Sequence, residues 1–267
     1  MNEIKLKSPF DQIWKNKDPF TEVELISGTF YRAVNQRKTL NFEQDGQSYF
    51  IKIHRGTTIK EILKNLLSFR LPVLDAKQEW DAIHRLEQVG VNTMDGRAFG
   101  RKGFNPLTRH SFIITHDLNP AISLEDFTQS WATTPPSYHL KRSLIIYLAK
   151  MIANMHAAGV NHRDCYLCHF LLDLPLFENH QQIKLSVIDL HRAQIRQQVP
   201  TRWRDKDLIG LYFSSRNIGL TTRDIWLFLK VYFNKPLKTI LRDEHKLISH
   251  TQQKAERIRK RTEKYHL

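Results

Sequence analysis

Four charged residues stand out by type and by order: Lys52 in an alternating segment, Glu79 on the helical stretch that follows, Asp164 directly after His162-Arg163, and Asp189 at the end of Leu-Ser-Val-Ile-Asp. Moving a phosphoryl group requires a cation on the nucleotide phosphates, a carboxylate that holds Mg²⁺ and a group that orients the acceptor hydroxyl. A lysine steadied by a helix carboxylate meets the first need, Asp189 the second and Asp164 the third. Alone, each has a plainer reading. Lys52 and Glu79 could be an ordinary ion pair, Asp164 a loop cap and Asp189 a strand-end turn residue, and a mid-strand lysine is most often an edge or solvent residue. Their order along the chain favours the chemical reading.

The segments around them predict how they would be held. Residues 21–54 read as extended structure with turns, including a hairpin-like turn at Asp45-Gly46. In Ser48–His54, Tyr49, Ile51 and Ile53 alternate with Phe50 and Lys52, placing Lys52 in a strand. Ile59, Ile62, Leu63, Leu66 and Leu67 predict an amphipathic helix over Thr58–Ser68 that carries Lys60 and Lys64 and is interrupted at Pro72. Ala76–Val89 is the next helix, with Trp80, Ile83 and Leu86 on its apolar face and Glu79 beside it. A β region follows through Ala98-Phe99 and Ser111–Thr115, then a turn-rich connector, His116–Pro120. Ser123 resembles a helix cap with Asp126 in the capping-box position. Leu140–Ala157 is the longest convincing helix, ending near Gly159. Short strands are expected at 170–172 and 184–190, and helices at 207–215, 222–233 and 237–262. The pattern predicts an α+β chain: a β-rich part over 1–117 and a mostly helical part over 118–267.

Composition narrows the setting. The chain has 267 residues, 41% of them hydrophobic, and 41 Lys and Arg against 27 Asp and Glu, a formal charge of +14. Such a surface attracts nucleic acid, anionic lipid or a phosphorylated substrate. No helix-turn-helix, zinc-finger or RNP-type pattern supports nucleic acid. The dense run Arg257-Ile-Arg-Lys-Arg261 reads as a solvated helix face or as a surface for anionic ligands and membranes. The polar start lacks the apolar run of a secretory signal, and the most apolar stretches are too short to cross a bilayer, so a cytosolic location is expected. Cys165 and Cys168, beside His162 and His169, raise the question of zinc. Four ligands packed so closely would strain to surround one ion, so Cys168 is expected to pack inward and Cys165 to adjoin the loop.

Met155-His-Ala-Ala-Gly-Val-Asn-His-Arg-Asp164 resembles the end of the long helix and the catalytic loop of protein kinases; Ser48–Ile53 resembles their lysine-bearing strand, and Val187-Ile-Asp-Leu190 stands where their metal-binding segment would. Over nearly its whole length the chain is similar to the lipopolysaccharide core heptose(I) kinase family, through Phe50–Thr57, Asn161–Phe170, Val187–Ala193 and Arg204–Ser215. The resemblance implies a two-lobed protein-kinase-like fold and transfer of phosphate from ATP, with Mg²⁺, to the 4-hydroxyl of the first heptose of the lipopolysaccharide inner core. By motif, Lys52 would meet the α and β phosphates, Glu79 would hold Lys52, Asp164 would orient the acceptor hydroxyl and Asp189 would bind Mg²⁺. Asp207, with Asp205 as competitor, would brace the catalytic loop, and the backbone of the hinge His116-Asp-Leu118 would bind adenine. The implied partners are the inner core–lipid A acceptor and the anionic cytoplasmic face of the inner membrane, met peripherally; the resemblance also allows an acyl carrier protein. Three features depart from the superfamily pattern. His169 stands where an Asn would be the second metal ligand, and would bind Mg²⁺ weakly, contact phosphate or brace the loop; no G-x-G-x-x-G occurs, and the metal segment reads Asp-Leu-His without its glycine. The rival readings are another small-molecule or tyrosine kinase of the same fold, and a weakly catalytic module that binds anionic partners.

Overall fold

A computed structural model describes residues 2–34, 37–59 and 75–265. The expected helix over Thr58–Ser68, with Lys60 and Lys64, lies outside them apart from Thr58 and Ile59. Contacts divide the chain into two units, one of Met1–His84, Thr93–Asn119 and Asp189–Arg192, the other of Arg85–Asn92, Pro120–Ile188 and Ala193–Leu267.

The first unit is built on an antiparallel sheet of β1 (Asn2–Leu6), β2 (Thr29–Val34), β3 (Arg37–Gln44), β4 (Gln47–Arg55), β5 (Gly96–Lys102) and β6 (His110–His116), in the order β1-β5-β6-β4-β3-β2. Asp45 and Gly46 both take positive φ, +52° and +72°, as the tight turn between β3 and β4 demands. Alternation sorts the faces. Tyr49, Ile51 and Ile53 of β4 are buried in an aromatic-rich core with Phe10, Phe20, Phe42 and Phe112, and Lys52 and His54 point to the opposite face. β4 is paired on both sides, Lys52 lying opposite Thr39 and Ile113, so this lysine is not the edge residue that is commonest in strands.

Two short helices, α1 (Phe10–Ile13) and α2 (Pro19–Leu25), deliver Phe10, Trp14, Phe20 and Val23 to that core. Residues 21–25 are thus helical, not extended: Asp18 accepts from the Phe20 N–H at 3.2 Å and Pro19 occupies the first turn, where its missing N–H costs nothing. On the opposite face lies α3 (Lys77–Glu87), whose Trp80 stacks on Phe99 with ring centroids 5.5 Å apart. Burial of Trp80, Ile83 and Leu86 fixes the rotation of α3 and turns Glu79 inward, 1% exposed.

The second unit is mostly helical: α4 (Leu124–Phe127), α5 (Tyr138–Ala157), α6 (Leu174–His180), α7 (Thr201–Ser214), α8 (Thr222–Phe233), α9 (Leu237–Asp243) and α10 (His245–Tyr265). It also holds a sheet of β7 (Ala121–Ser123), β9 (Phe170–Asp173) and β10 (Leu185–Val187), and a ribbon of β8 (Val160–Asn161) with β11 (Gln194–Ile195). Ser123 caps α4 by accepting from the Asp126 N–H at 3.1 Å. The stretch expected as one helix over 237–262 is two, because Glu244 leaves helical geometry and gives its carboxylate to Arg204 at 2.6 and 3.1 Å. Gly159 ends α5 at φ +81°, and a Cβ there would fall 1.8 Å from the Arg196 carbonyl oxygen. Only glycine lets the chain turn so tightly into β8, which leads straight into His162-Arg163-Asp164.

This unit also holds a partly open apolar pocket of about 240 Å³ among Leu144, Leu148, Leu167, Leu208, Leu211 and Ile225. Among the described residues, no helix is long and apolar enough to cross a membrane.

Candidate active site

In the first unit, three of the singled-out residues meet. The Lys52 ammonium donates to Glu79 Oε1 at 2.7 Å and to Asp189 Oδ1 at 3.2 Å. Burial works against the charge of Lys52, but the two carboxylates outweigh it and hold the ammonium above the ordinary lysine value. Lys52 is therefore a fixed cation, 24% exposed at its side chain. Asp189 adopts φ +59°, a left-handed conformation that turns its carboxylate back towards β4.

His191 was not singled out from the sequence, where position 191 reads only as a missing glycine. Its Nδ1 lies 2.7 Å from Asp189 Oδ1, and since a carboxylate oxygen accepts, the imidazole donates. A single helical turn, Leu190–Arg192, carries it there, so the residue that replaces the flexible glycine pins the aspartate instead. His54, two residues beyond Lys52 on the same face of β4, is 4% exposed, and burial, then Arg37, Lys52 and His191, push its pKa down to about 3. It stays neutral and adds no charge to the cluster at ordinary pH.

The connector after β6 has its own economy of donors. The His116 N–H is committed to the Asp95 carbonyl at 2.9 Å and the Asp117 N–H to Ser48 at 2.9 Å. Asp117 accepts from the Ser48 hydroxyl at 2.8 Å and from Asn41 at 3.3 Å, which fixes the turn. Among the described residues, the Leu118 N–H has no acceptor.

In the second unit, Asp207 of α7 is completely buried and receives the backbone of the His162-Arg163-Asp164 loop. Its Oδ2 accepts from the His162 N–H at 2.6 Å and its Oδ1 from the Arg163 N–H at 2.7 Å. His156 Nε2 donates to the same Oδ2 at 3.2 Å while its Nδ1 accepts from the Tyr232 hydroxyl at 2.7 Å. Burial holds Tyr232 in its neutral, donating form by raising its pKa. Asp205, the other candidate for the brace, is engaged by Arg204 instead, at 2.8 Å. Gly210, one turn beyond Asp207, permits the approach: a Cβ there would come within 2.9 Å of the Cys165 carbonyl oxygen.

Held in this way, Arg163 takes φ +74°, a strained value for a non-glycine residue that the two bonds to Asp207 offset. Asp164 is then fixed from both sides. Its N–H donates to His162 Nδ1 at 3.3 Å, and its carbonyl accepts from His169 Nδ1 at 2.7 Å. His162 in turn donates from Nε2 to the Ile188 carbonyl at 2.9 Å, which makes Nδ1 the acceptor and requires the neutral ring. The rings of His162 and His169 stack with centroids 5.3 Å apart. Because Nδ1 of His169 carries the donated proton, Nε2 is the basic nitrogen of the neutral ring.

The structure corrects one of the two cysteine expectations: Cys168 is not the one that packs inward, whereas Cys165 adjoins the loop. Cys165 is the buried one, 1% exposed, with its thiol pKa pushed well up by burial and then by Asp207 and Asp164; Cys168 is half-exposed. The cause is the tight turn Leu167–His169, which puts Leu167 inward where a helix would have put Cys168. Among the described residues, no group of three or more His, Cys, Asp or Glu side chains is arranged to hold a metal ion.

A β-rich unit with a lysine clamped by a helix carboxylate, and a helical unit with an Asp-braced His-Arg-Asp loop, define a protein-kinase-like phosphotransferase. Comparison narrows the class. The model of the lipopolysaccharide kinase (Kdo/WaaP) family matches residues 22–232, and the chain belongs to that family. It is 62% identical over 97% of its length to the lipopolysaccharide core heptose(I) kinase WaaP of Escherichia coli, covering 98% of that protein, and 59% identical to the WaaP of strain K12 over 98% of each. Among solved structures, that of WaaP in complex with acyl carrier protein is similar with a TM-score of 0.85 at 47% identity, over 96% of this chain and 98% of that one.

Proposed function

We propose that the chain phosphorylates the first heptose of the lipopolysaccharide inner core at its 4-hydroxyl, with ATP as donor. One observation carries the kinase half of this reading: a buried carboxylate, Glu79, and Asp189 share one lysine, Lys52, at 2.7 and 3.2 Å. The names of relatives at 59–62% identity supply the acceptor. Lys52 engages the nucleotide phosphates. Adenine is read by the Leu118 N–H and the His116 carbonyl. Asp164 orients the heptose hydroxyl for direct in-line attack and accepts its proton late, so no phosphoenzyme forms. Positioning and charge neutralisation supply most of the acceleration.

The donor set of Asp189 suits Mg²⁺, which binds through one or two carboxylates and substrate phosphates while keeping several waters. Asp189 would hold the ion, which when bound neutralises charge on the phosphates. His169 offers an imidazole nitrogen, a poorer donor for this metal, and its backbone-fixed ring serves first to hold the Asp164 carbonyl.

The reading is tested by phosphate incorporation from labelled ATP into purified inner-core acceptor, with peptide and RNA controls. Wild type labels the core alone. Label in peptide but not in core, or none in core at all, overturns the assignment.

An acyl carrier protein is proposed as a partner. The net charge of +14 suits an acidic surface, and the apolar pocket of about 240 Å³ suits an acyl chain brought in by the carrier. Filling the pocket with Leu208→Trp should then weaken acyl-carrier binding relative to the unacylated carrier, read by calorimetry. Peripheral binding to the cytoplasmic face of the inner membrane is proposed through α10, where Lys254, Arg257 and Lys260 are exposed at helical spacing along one stripe. Vesicle sedimentation that is indifferent to anionic lipid content would argue against it.

A further inference from the structure

The face of the first unit's sheet that carries Lys52 also carries an aromatic pair that adds nothing to the core. Tyr31, on the edge strand β2, is 72% exposed, while the buried rings Phe10, Phe20, Phe42 and Phe112 fill the opposite face of the sheet. Its ring stands against Phe50 of β4, with centroids 5.5 Å apart and planes at 83°. Phe50 precedes Lys52 by two residues, so strand alternation puts both on one face, and Phe50 is half-buried there. The contact with Phe50 brings Tyr31 to the same face. The β2–β3 ladder slips between Phe30 and Arg32, which leaves Tyr31 as the extra residue of a β-bulge. A bulge bends its strand and re-aims the side chain it carries.

Where the pair sits along the strands says more than its exposure. Phe50 lies opposite Thr115 of β6, the residue before His116, at the start of the connector proposed to read adenine. Lys52, held by Glu79 and Asp189, follows two residues along β4, about 7 Å further on. Polar backbone, aromatic corner and fixed cation thus follow one another in the order base edge, base face and phosphates of a nucleotide. Two rings at 83° form a corner in which a third ring can stack on one and meet the other edge to face. The chain has no G-x-G-x-x-G to fold over the donor, and a ring carried on the edge strand supplies contact with the base by another means.

We infer that Tyr31 and Phe50 form a stacking corner for the purine base of the nucleotide donor, Phe50 setting the base beside the connector and Tyr31 covering it from the edge strand. This rests on the reading of the chain as an ATP-dependent kinase. The connector holds the base by its edge; the corner holds it by its face. Both residues bind the donor and take no part in the transfer of phosphate.

The full chain would be titrated by calorimetry with ATP and with inorganic triphosphate, which has phosphates but no base, and steady-state kinetics would be run in parallel. Because Tyr31 is exposed, its removal leaves the core intact. Tyr31→Ala should weaken ATP binding and raise the KM for ATP about tenfold, while triphosphate binding stays as in wild type. The turnover number at saturating ATP should stay within about twofold. Tyr31→Phe and Tyr31→Trp should bind ATP as wild type does, since a ring is required and a hydroxyl is not. Phe50→Leu, which keeps an apolar side chain on β4, should show the same separation of ATP from triphosphate. In chain labelled with 3-fluorotyrosine and assigned by Tyr31→Phe, ATP should shift the ¹⁹F signal of Tyr31 and triphosphate should not. An ATP affinity of Tyr31→Ala equal to wild type, or an equal loss for ATP and triphosphate, would overturn the corner and leave the kinase reading standing. Absence of ATP-dependent turnover in wild type would overturn both.

Discussion

Glu79 and Asp207 are both buried carboxylates, 1% and 0% exposed, and both hold a group the chemistry needs, yet they hold it in opposite ways. Glu79 grips one charged side chain, which it shares with Asp189, and among the described residues its Oε2 has no hydrogen-bond partner. Asp207 uses both oxygens on the backbone N–H groups of two successive residues and takes a third bond from His156. The first arrangement is electrostatic and exchangeable: in the proposed mechanism Lys52 would pass from Asp189 to an arriving phosphate while Glu79 keeps it in reach. The second is conformational, because it fixes φ and ψ of the loop before any substrate arrives. Cation placement can tolerate a sliding partner; orientation of a hydroxyl cannot.

The largest effect should come at the residue the conformational arrangement presents. Asp164→Ala is expected to lower turnover by about 10³-fold with the thermal midpoint within a few degrees of wild type. Near wild-type turnover by the purified variant would remove Asp164 from the mechanism.

Next in size is Asp207→Ala, which strips two backbone N–H groups and an imidazole of their common acceptor inside the protein. A loss of about 3–5 kcal/mol in urea unfolding is expected. Glu79→Ala should cost only about 1 kcal/mol, because Lys52 keeps Asp189, but should raise the KM for ATP. Equal stability losses in the two variants would erase the distinction between the two carboxylates.

How much of this could be read beforehand follows the same division. Lys52, Glu79 and Asp189 were legible because strand alternation, helix periodicity and a strand end each leave a pattern, and their order matched a known chemical need. Asp207 was legible only beside Asp205, since neither charge nor spacing says which of two acids on one helix turns inward. His191 and His156 were missed: position 191 reads as a lost glycine, and His156, although it lies within the quoted motif Met155–Asp164, reads as one more residue of a long helix. Cys168 was expected to pack inward, but the tight turn at Leu167–His169 buries Leu167 instead. The helix over 19–25 escaped because its signal is only Asp18-Pro19, easily read as a turn.

The smallest effect tests whether the first unit's cluster is as electrostatic as its contacts imply. His54 has its pKa pushed down to about 3 by burial and by the cations Arg37 and Lys52, whereas an unfolded histidine titrates near 6.5. Above 6.5 neither state takes the proton, and the group contributes nothing to pH dependence. As pH falls below 6.5 the unfolded state binds a proton that the folded state refuses, so stability declines until pH approaches 3. Between pH 7.5 and 5.5 this one residue should cost about 1.3 kcal/mol, read as a drop in the urea-extrapolated unfolding free energy. In His54→Asn, which keeps a polar side chain of similar reach but cannot titrate, the drop should be smaller by that amount. If the two profiles run parallel, His54 accepts its proton in the folded protein, and the cations of the Lys52 cluster do not govern that face of the sheet.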